Sequence, residues 1–157
     1  MTEPLHRHES ALRIADHPFL RGLDPSLIES LSEQAVERDF DPGEFLLRDG
    51  ETADGCYLVF HGKIALEVSA PDRGRLTIQT VGPGEILGWS WLTPPYRWQV
   101  DARALKHVRV VRLDAGVLRR TFTELPEAGY QFLLRLLPVV AHRLENTRIQ
   151  LLDVHGV

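Results

Sequence analysis

The sequence predicts a mainly β fold with α: an eight-stranded antiparallel jelly-roll barrel, flanked by N-terminal helices and a long C-terminal helix. Two observations carry that expectation. From Val36 to Leu113, about eight short period-two segments follow one another at roughly ten-residue spacing, with turn residues between them. From Pro126 onward the period changes, and apolar residues recur in steps of three and four.

Taken in order, residues 1–9 read as a flexible tail, and its His6 and His8 have no third ligand nearby to make a metal site. Leu12, Ile14, Phe19 and Leu20 suggest a short helical start. Asp24-Pro25 opens a helix, a capping acid followed by a proline in the first turn, and Leu27, Ile28 and Leu31 form its apolar face. The strands follow: Val36 to Phe40, Phe45 to Arg48, Cys56 to Phe60, Ile64 to Val68, Leu76 to Thr80, Glu85 to Leu87, Val100 to Ala104 and Val108 to Leu113. The turns Asp41-Pro42-Gly43-Glu44, His61-Gly62-Lys63 and Gly82-Pro83-Gly84 are among those that separate them. Asp114 caps a short helix through Leu118 and Phe122. The division is therefore a tail over 1–9, helices and jelly roll over 10–125, and a long helix with its end over 126–157.

Tyr130, Leu133, Leu137, Val140, Leu144, Thr147 and Leu151 form a heptad seam on the last helix. A second stripe, Phe132, Leu136, Val139 and Arg143, lies on another face. One helix with two stripes has two partners: its own barrel on one side and a twin helix on the other. Two stripes covering one intrachain core is the alternative. Pro138 removes one backbone donor and is expected to bend the helix after Leu134.

A chain of 157 residues is one domain, long enough for a core without staples. Its net charge of −4 gives no basic field for nucleic acid or anionic membrane. Neither a signal peptide nor a membrane-length apolar run is visible, and the single cysteine, Cys56, reads as a small buried hydrophobe. The expected setting is the cytoplasm. Catalysis finds no support: no nucleophile–base ordering stands out, and His61, His107 and His142 fall on unrelated elements.

One stretch stands apart. All three tryptophans, Trp89, Trp91 and Trp98, fall within Gly88-Trp-Ser-Trp-Leu-Thr-Pro-Pro-Tyr-Arg-Trp98. It is either the plug of a core or the wall of a pocket.

The run from Phe40 to Lys63, with Pro42-Gly43-Glu44, Leu46-Leu47, Gly50-Glu51, Ala53-Asp54, Tyr57-Leu58-Val59 and Gly62-Lys63, resembles the cyclic nucleotide-binding domain of bacterial regulators, kinases and channels. The likeness spans residues 17 to 152. It implies a ligand site beneath a phosphate-binding cassette starting at Gly88, where a glutamate holds the ribose and an arginine holds the cyclic phosphate. This chain departs at both positions. Counted from Gly88, Trp89 takes the place of the glutamate. Counted back from Ala102-Arg103-Ala104, Trp98 takes the place of the arginine, with Gln99 after it and Arg97 one position early.

Ligand candidates by this likeness are Gly88, Trp89, Ser90, Trp91, Arg97, Trp98 and Gln99, with Thr147 and Arg148 of the long helix, which stand where the bacterial activators reach the purine. Three outcomes stay open: a closed pocket, a pocket for another small molecule, or a retained cyclic nucleotide. The ligand, and hence any cofactor, is left unnamed. The expected function is a non-enzymatic, dimeric regulatory module, or else an interaction subunit with a dead pocket inside a larger complex. The helix ends near Leu152 and the chain at Val157, so no DNA-binding helix-turn-helix and no direct nucleic-acid contact are expected.

Overall fold

The computed structural model describes residues 12–154; the tail expected over 1–9, with its two histidines, lies outside the described residues. The eight strands are β1 (Val36–Phe40), β2 (Phe45–Leu47), β3 (Gly55–His61), β4 (Ile64–Ala70), β5 (Gly74–Val81), β6 (Ile86–Leu87), β7 (Asp101–Ala104) and β8 (Val108–Asp114). They form two four-stranded antiparallel sheets, β1-β8-β3-β6 and β2-β7-β4-β5, which is the jelly-roll order. The named strands pair within two separate sheets, not in one closed ring. The inward faces meet in a core that includes Leu58, Ile64, Leu66, Ile86, Leu87, Val110 and Leu113. Cys56 lies in that core, and burial pushes its thiol up to about 12, so it is inert.

Among the described residues, three α-helices accompany the sheets: α1 (Pro25–Gln34), α2 (Ala115–Glu124) and α3 (Pro126–Val154). The Asp24 carboxylate accepts the Ser26 N–H at 2.8 Å, so the sequence-read cap is formed. Asp114 caps α2 in the same way, through the Val117 N–H at 3.1 Å. The expected helical start before Asp24 is only a single 3-10 turn, Ile14–Asp16, followed by irregular turns. Ile14 and Leu20 still bury, because these turns drop apolar side chains onto the core without a helix to carry them.

The long helix shows the two faces read from the sequence. Phe132 and Leu136 are buried, Val139 is half-buried and Arg143 is 9% exposed, all turned toward the body of the domain. Tyr130, Leu133, Leu137, Leu144 and Leu151 point away, Leu137 and Leu144 being 63% and 71% exposed. Val140 and Thr147 are half-buried at the border of the two faces. One intrachain core therefore does not absorb both stripes. The helix is continuous through Pro138, with the carbonyl of Leu134 left without its usual donor.

One buried ring links the N-terminal turns to the sheets. His17 is 1% exposed. Its Nε2 lies 2.8 Å from the Val59 carbonyl, and its Nδ1 accepts the Phe19 N–H at 3.1 Å. The pair of contacts requires the neutral ring with its proton on Nε2. Burial lowers the pKa below its ordinary 6.5, the Val59 carbonyl opposes this, and Arg21 adds to the lowering. The unfolded chain therefore binds a proton more readily than the folded one. This contribution to stability is complete above pH 6.5 and is lost as pH falls through the window below it. Urea unfolding at pH 7.5 and 5.5 is expected to show a smaller acid loss in His17→Gln than in the wild type; equal losses would contradict the assignment.

Candidate ligand site

The cassette is built from the end of β6. Gly88 turns the chain with φ of +98°, in the left-handed region. A 3-10 turn, Ser90–Leu92, follows, then a cis Pro94–Pro95 peptide and Tyr96, also at positive φ. The chain returns extended against residues 50–53. The Ala53 N–H donates to the Tyr96 carbonyl at 2.8 Å, the Trp98 N–H to the Glu51 carbonyl at 2.9 Å, and the Gly50 N–H to the Trp98 carbonyl at 2.9 Å. That ladder decides where the side chains go, because alternate residues of an extended segment face opposite sides. Trp98 points in and is 5% exposed. Arg97 and Gln99 point out.

Arg97 thus does not enter the pocket. Its Nη1 donates to the Gly50 carbonyl at 3.0 Å, at the surface. The one-residue displacement noted in the sequence has turned it to the other face. The Gln99 amide donates to the Arg97 carbonyl at 3.2 Å from an exposed position at the cavity's rim.

Trp91 packs into the core and is not among the residues that line the cavity. It is wholly buried, its Nε1–H donates to the Gly88 carbonyl at 3.1 Å, and the Arg119 guanidinium donates to the Trp91 carbonyl at 2.6 Å. Its ring leans on Phe122, 6.2 Å between centroids, and the stack continues to Phe132 at 5.0 Å and Phe19 at 5.1 Å. Trp91 therefore fixes the cassette to α2 and α3. Burying such a ring contributes on the order of 2–3 kcal/mol.

Trp98 closes the space above β6. A Cβ placed on Gly88 would stand 2.8 Å from the Trp98 ring, so the indole rests on the bare backbone of the glycine. What remains beneath the cassette is a cavity of about 50 Å³, lined by Gly88, Trp89, Ser90, Trp98, Gln99 and Arg143, with Leu47 and Val100 behind.

Trp89 forms its wall toward α3. The Arg143 guanidinium carbon lies 4.0 Å over the Trp89 ring. Arg143 was legible only as the last member of the buried stripe; its reach to the cassette depends on how α3 crosses the sheets. Thr147 and Arg148 are not at the cavity. The Thr147 hydroxyl donates to the Arg143 carbonyl of its own helix at 2.8 Å, and Arg148 pairs with Glu145 at 2.7 Å in solvent.

Trp89 also borders an apolar groove of about 340 Å³. Leu92 and Thr93 of the cassette line it with Tyr130, Leu133, Leu137 and Val140 of α3. A buried acid, Glu67, braces the exit of the cassette: Arg103 of β7 donates to it twice, at 2.6 and 3.2 Å, and Arg75 once at 3.2 Å.

Residues 37–124 match the profile of the cyclic nucleotide-binding domain. The chain belongs to that family. It is 31% identical over 136 residues to a CRP-like cAMP-activated global transcriptional regulator of Mycobacterium tuberculosis, covering 87% of this chain and 59% of that protein. A cyclic AMP receptor protein of Thermus thermophilus is 27% identical over 127 residues, covering 81% and 53%. The chain thus spans little more than half the length of these relatives. Among solved structures, a putative cyclic nucleotide-binding protein from Geobacter metallireducens superposes with a TM-score of 0.73 at 27% identity, covering 84% of this chain and 96% of that one. The regulatory subunit of a cAMP-independent protein kinase A from Trypanosoma cruzi, bound to guanosine, shares the fold at 22% identity and a TM-score of 0.70, covering 100% and 54%. Among the described residues, no cluster of histidine, cysteine and acidic side chains could hold a metal, and no helix is long and apolar enough to cross a membrane.

Gly88→Ala combines a left-handed backbone with a collision against the Trp98 ring, and is expected to cost about 2–3 kcal/mol in urea unfolding. In a Trp98→Leu background the collision disappears and the cost of adding alanine should fall by about half. Additive costs would show that ring and glycine are not in contact.

Proposed function

We propose that this chain is a non-enzymatic regulatory module of the cytoplasm, dimeric through α3, whose cassette has been rebuilt away from cyclic nucleotides. The observation that carries the reading is the Trp98 indole seated on Gly88. Small-molecule pockets usually hold roughly 300–1,000 Å³, whereas about 50 Å³ is left here. The two charged contacts that the family likeness implies for ribose and phosphate are both indoles, so cyclic AMP would lose its hydrogen-bonding partners as well as its room.

The dimer rests on the exposed seam of α3. Tyr130, Leu133, Leu137, Leu144 and Leu151 follow heptad steps on one outward face, and a self-matching stripe of this kind suits a twin helix. The cassette borders the same face through Leu92 and Thr93, so a change at the cassette would be felt where the two copies meet. A second reading is favoured by the apolar groove itself: an interaction subunit with an occluded pocket, whose groove receives another protein inside a larger complex. Neither reading includes direct contact with nucleic acid.

Sedimentation of the full chain should give a dimer, and Leu137→Glu with Leu144→Glu should give a folded monomer. A wild-type monomer would favour the second reading. Calorimetric titration with cyclic AMP and cyclic GMP is expected to give no heat; saturable heat with either would overturn the rebuilt-cassette reading.

A further inference from the structure

The cavity beneath the cassette contains a charged group that the fold itself leaves unanswered. Arg143 is 9% exposed, and among the described residues no carboxylate pairs with its guanidinium. The contrast with other arginines is plain: Arg103 and Arg75 lie on Glu67, Arg112 on Asp54, Arg109 on Glu37 and Arg148 on Glu145. Arg143 has the Trp89 ring, 4.0 Å away. An indole face attracts the cation but accepts no hydrogen bond in the guanidinium plane, and Nε is buried without a partner. Burial lowers the pKa to about 10, which leaves the group charged at neutral pH. A buried cation without a counter-ion is costly, and the simplest relief is a bound anion.

The walls say which anion. A single water needs roughly 10–15 Å³ of such space, so about 50 Å³ admits a group of three or four heavy atoms. The lining combines two indoles, Leu47 and Val100 with Ser90 and Gln99, and no acid is among its residues. A flat, singly charged oxyanion matches both the low volume and the fork of N–H donors that a guanidinium presents.

We propose that Arg143 and the indole-walled cavity form a receptor for a planar monovalent oxyanion, either a free inorganic ion or the carboxylate of a small organic acid. It rests on the rebuilt-cassette reading above and moves the anion-holding group from the cassette to α3. A ligand held there sits against Trp89, which also lines the groove at the proposed dimer face.

The experiment is thermal unfolding of the full chain at constant ionic strength, with chloride as the reference salt. Formate and acetate are the carboxylate arm, nitrate and bicarbonate the inorganic arm. The wild type should show a saturable rise in Tm with at least one arm, and the arm that responds identifies the source. Arg143→Lys should weaken the apparent affinity about tenfold by losing the fork. Arg143→Met, shown folded by circular dichroism, should abolish the response while matching or exceeding the wild-type Tm without ligand. No response beyond chloride, an equal response to tetrahedral sulfate, or an unchanged response in Arg143→Met would each overturn the receptor. None of these results bears on oligomeric state or on cyclic nucleotide heats, so the reading beneath it stands or falls separately.

Discussion

The contact of the Trp98 indole with the bare backbone of Gly88 governs this domain. Gly88 is held at positive φ, and any side chain there would strike the ring. The ring is directed inward where residues 96–98 hydrogen-bond across to residues 50–53, around an antiparallel bridge of Arg97 with Thr52. Three consequences follow from one backbone arrangement. Trp98 fills the pocket, Arg97 is turned out to the Gly50 carbonyl, and the cavity shrinks to the patch in front of Arg143.

A second layer of order comes from the aromatic stack. Trp91, Phe122, Phe132 and Phe19 connect the cassette, both C-terminal helices and the N-terminal turns in one line of ring contacts. Because that line passes through the core, the cassette and α3 are not independent bodies. Trp89 lines both spaces: the small cavity, where Arg143 lies 4.0 Å over its ring, and the apolar groove. An occupant of the cavity and a partner on the seam would therefore share one indole as their common wall.

Much of the fold was legible in the sequence, because jelly-roll strands alternate and their turns carry Gly, Pro and Asp. The caps at Asp24 and Asp114, the eight strands and the long helix all lie where periodicity placed them. The short helical start expected from Leu12, Ile14, Phe19 and Leu20 is one 3-10 turn over Ile14–Asp16, and the irregular turns after it achieve the same burial. The two faces of α3 were also legible, down to Arg143 closing the inner stripe. The site was less so. Trp89 and Trp98 could be placed on the cassette from residue counts alone. The direction of Arg97 could not, because it depends on a long-range pairing between residues 96–98 and 50–53 that leaves no local signal. Trp91 could not be separated from its neighbours either, since only the packing of α2 against α3 makes it a core residue. The isolation of Arg143 is a statement about missing partners, and a sequence does not list those.

The central proposal is that Trp89 and Trp98 keep a cyclic nucleotide out of this cassette. It is tested most directly by calorimetric titration of cyclic AMP into a Trp89→Glu, Trp98→Arg double variant, with the wild type alongside. The account predicts saturable binding to the folded variant and none to the wild type. Wild-type binding as tight as that of the variant, or a folded variant that stays silent, would contradict it.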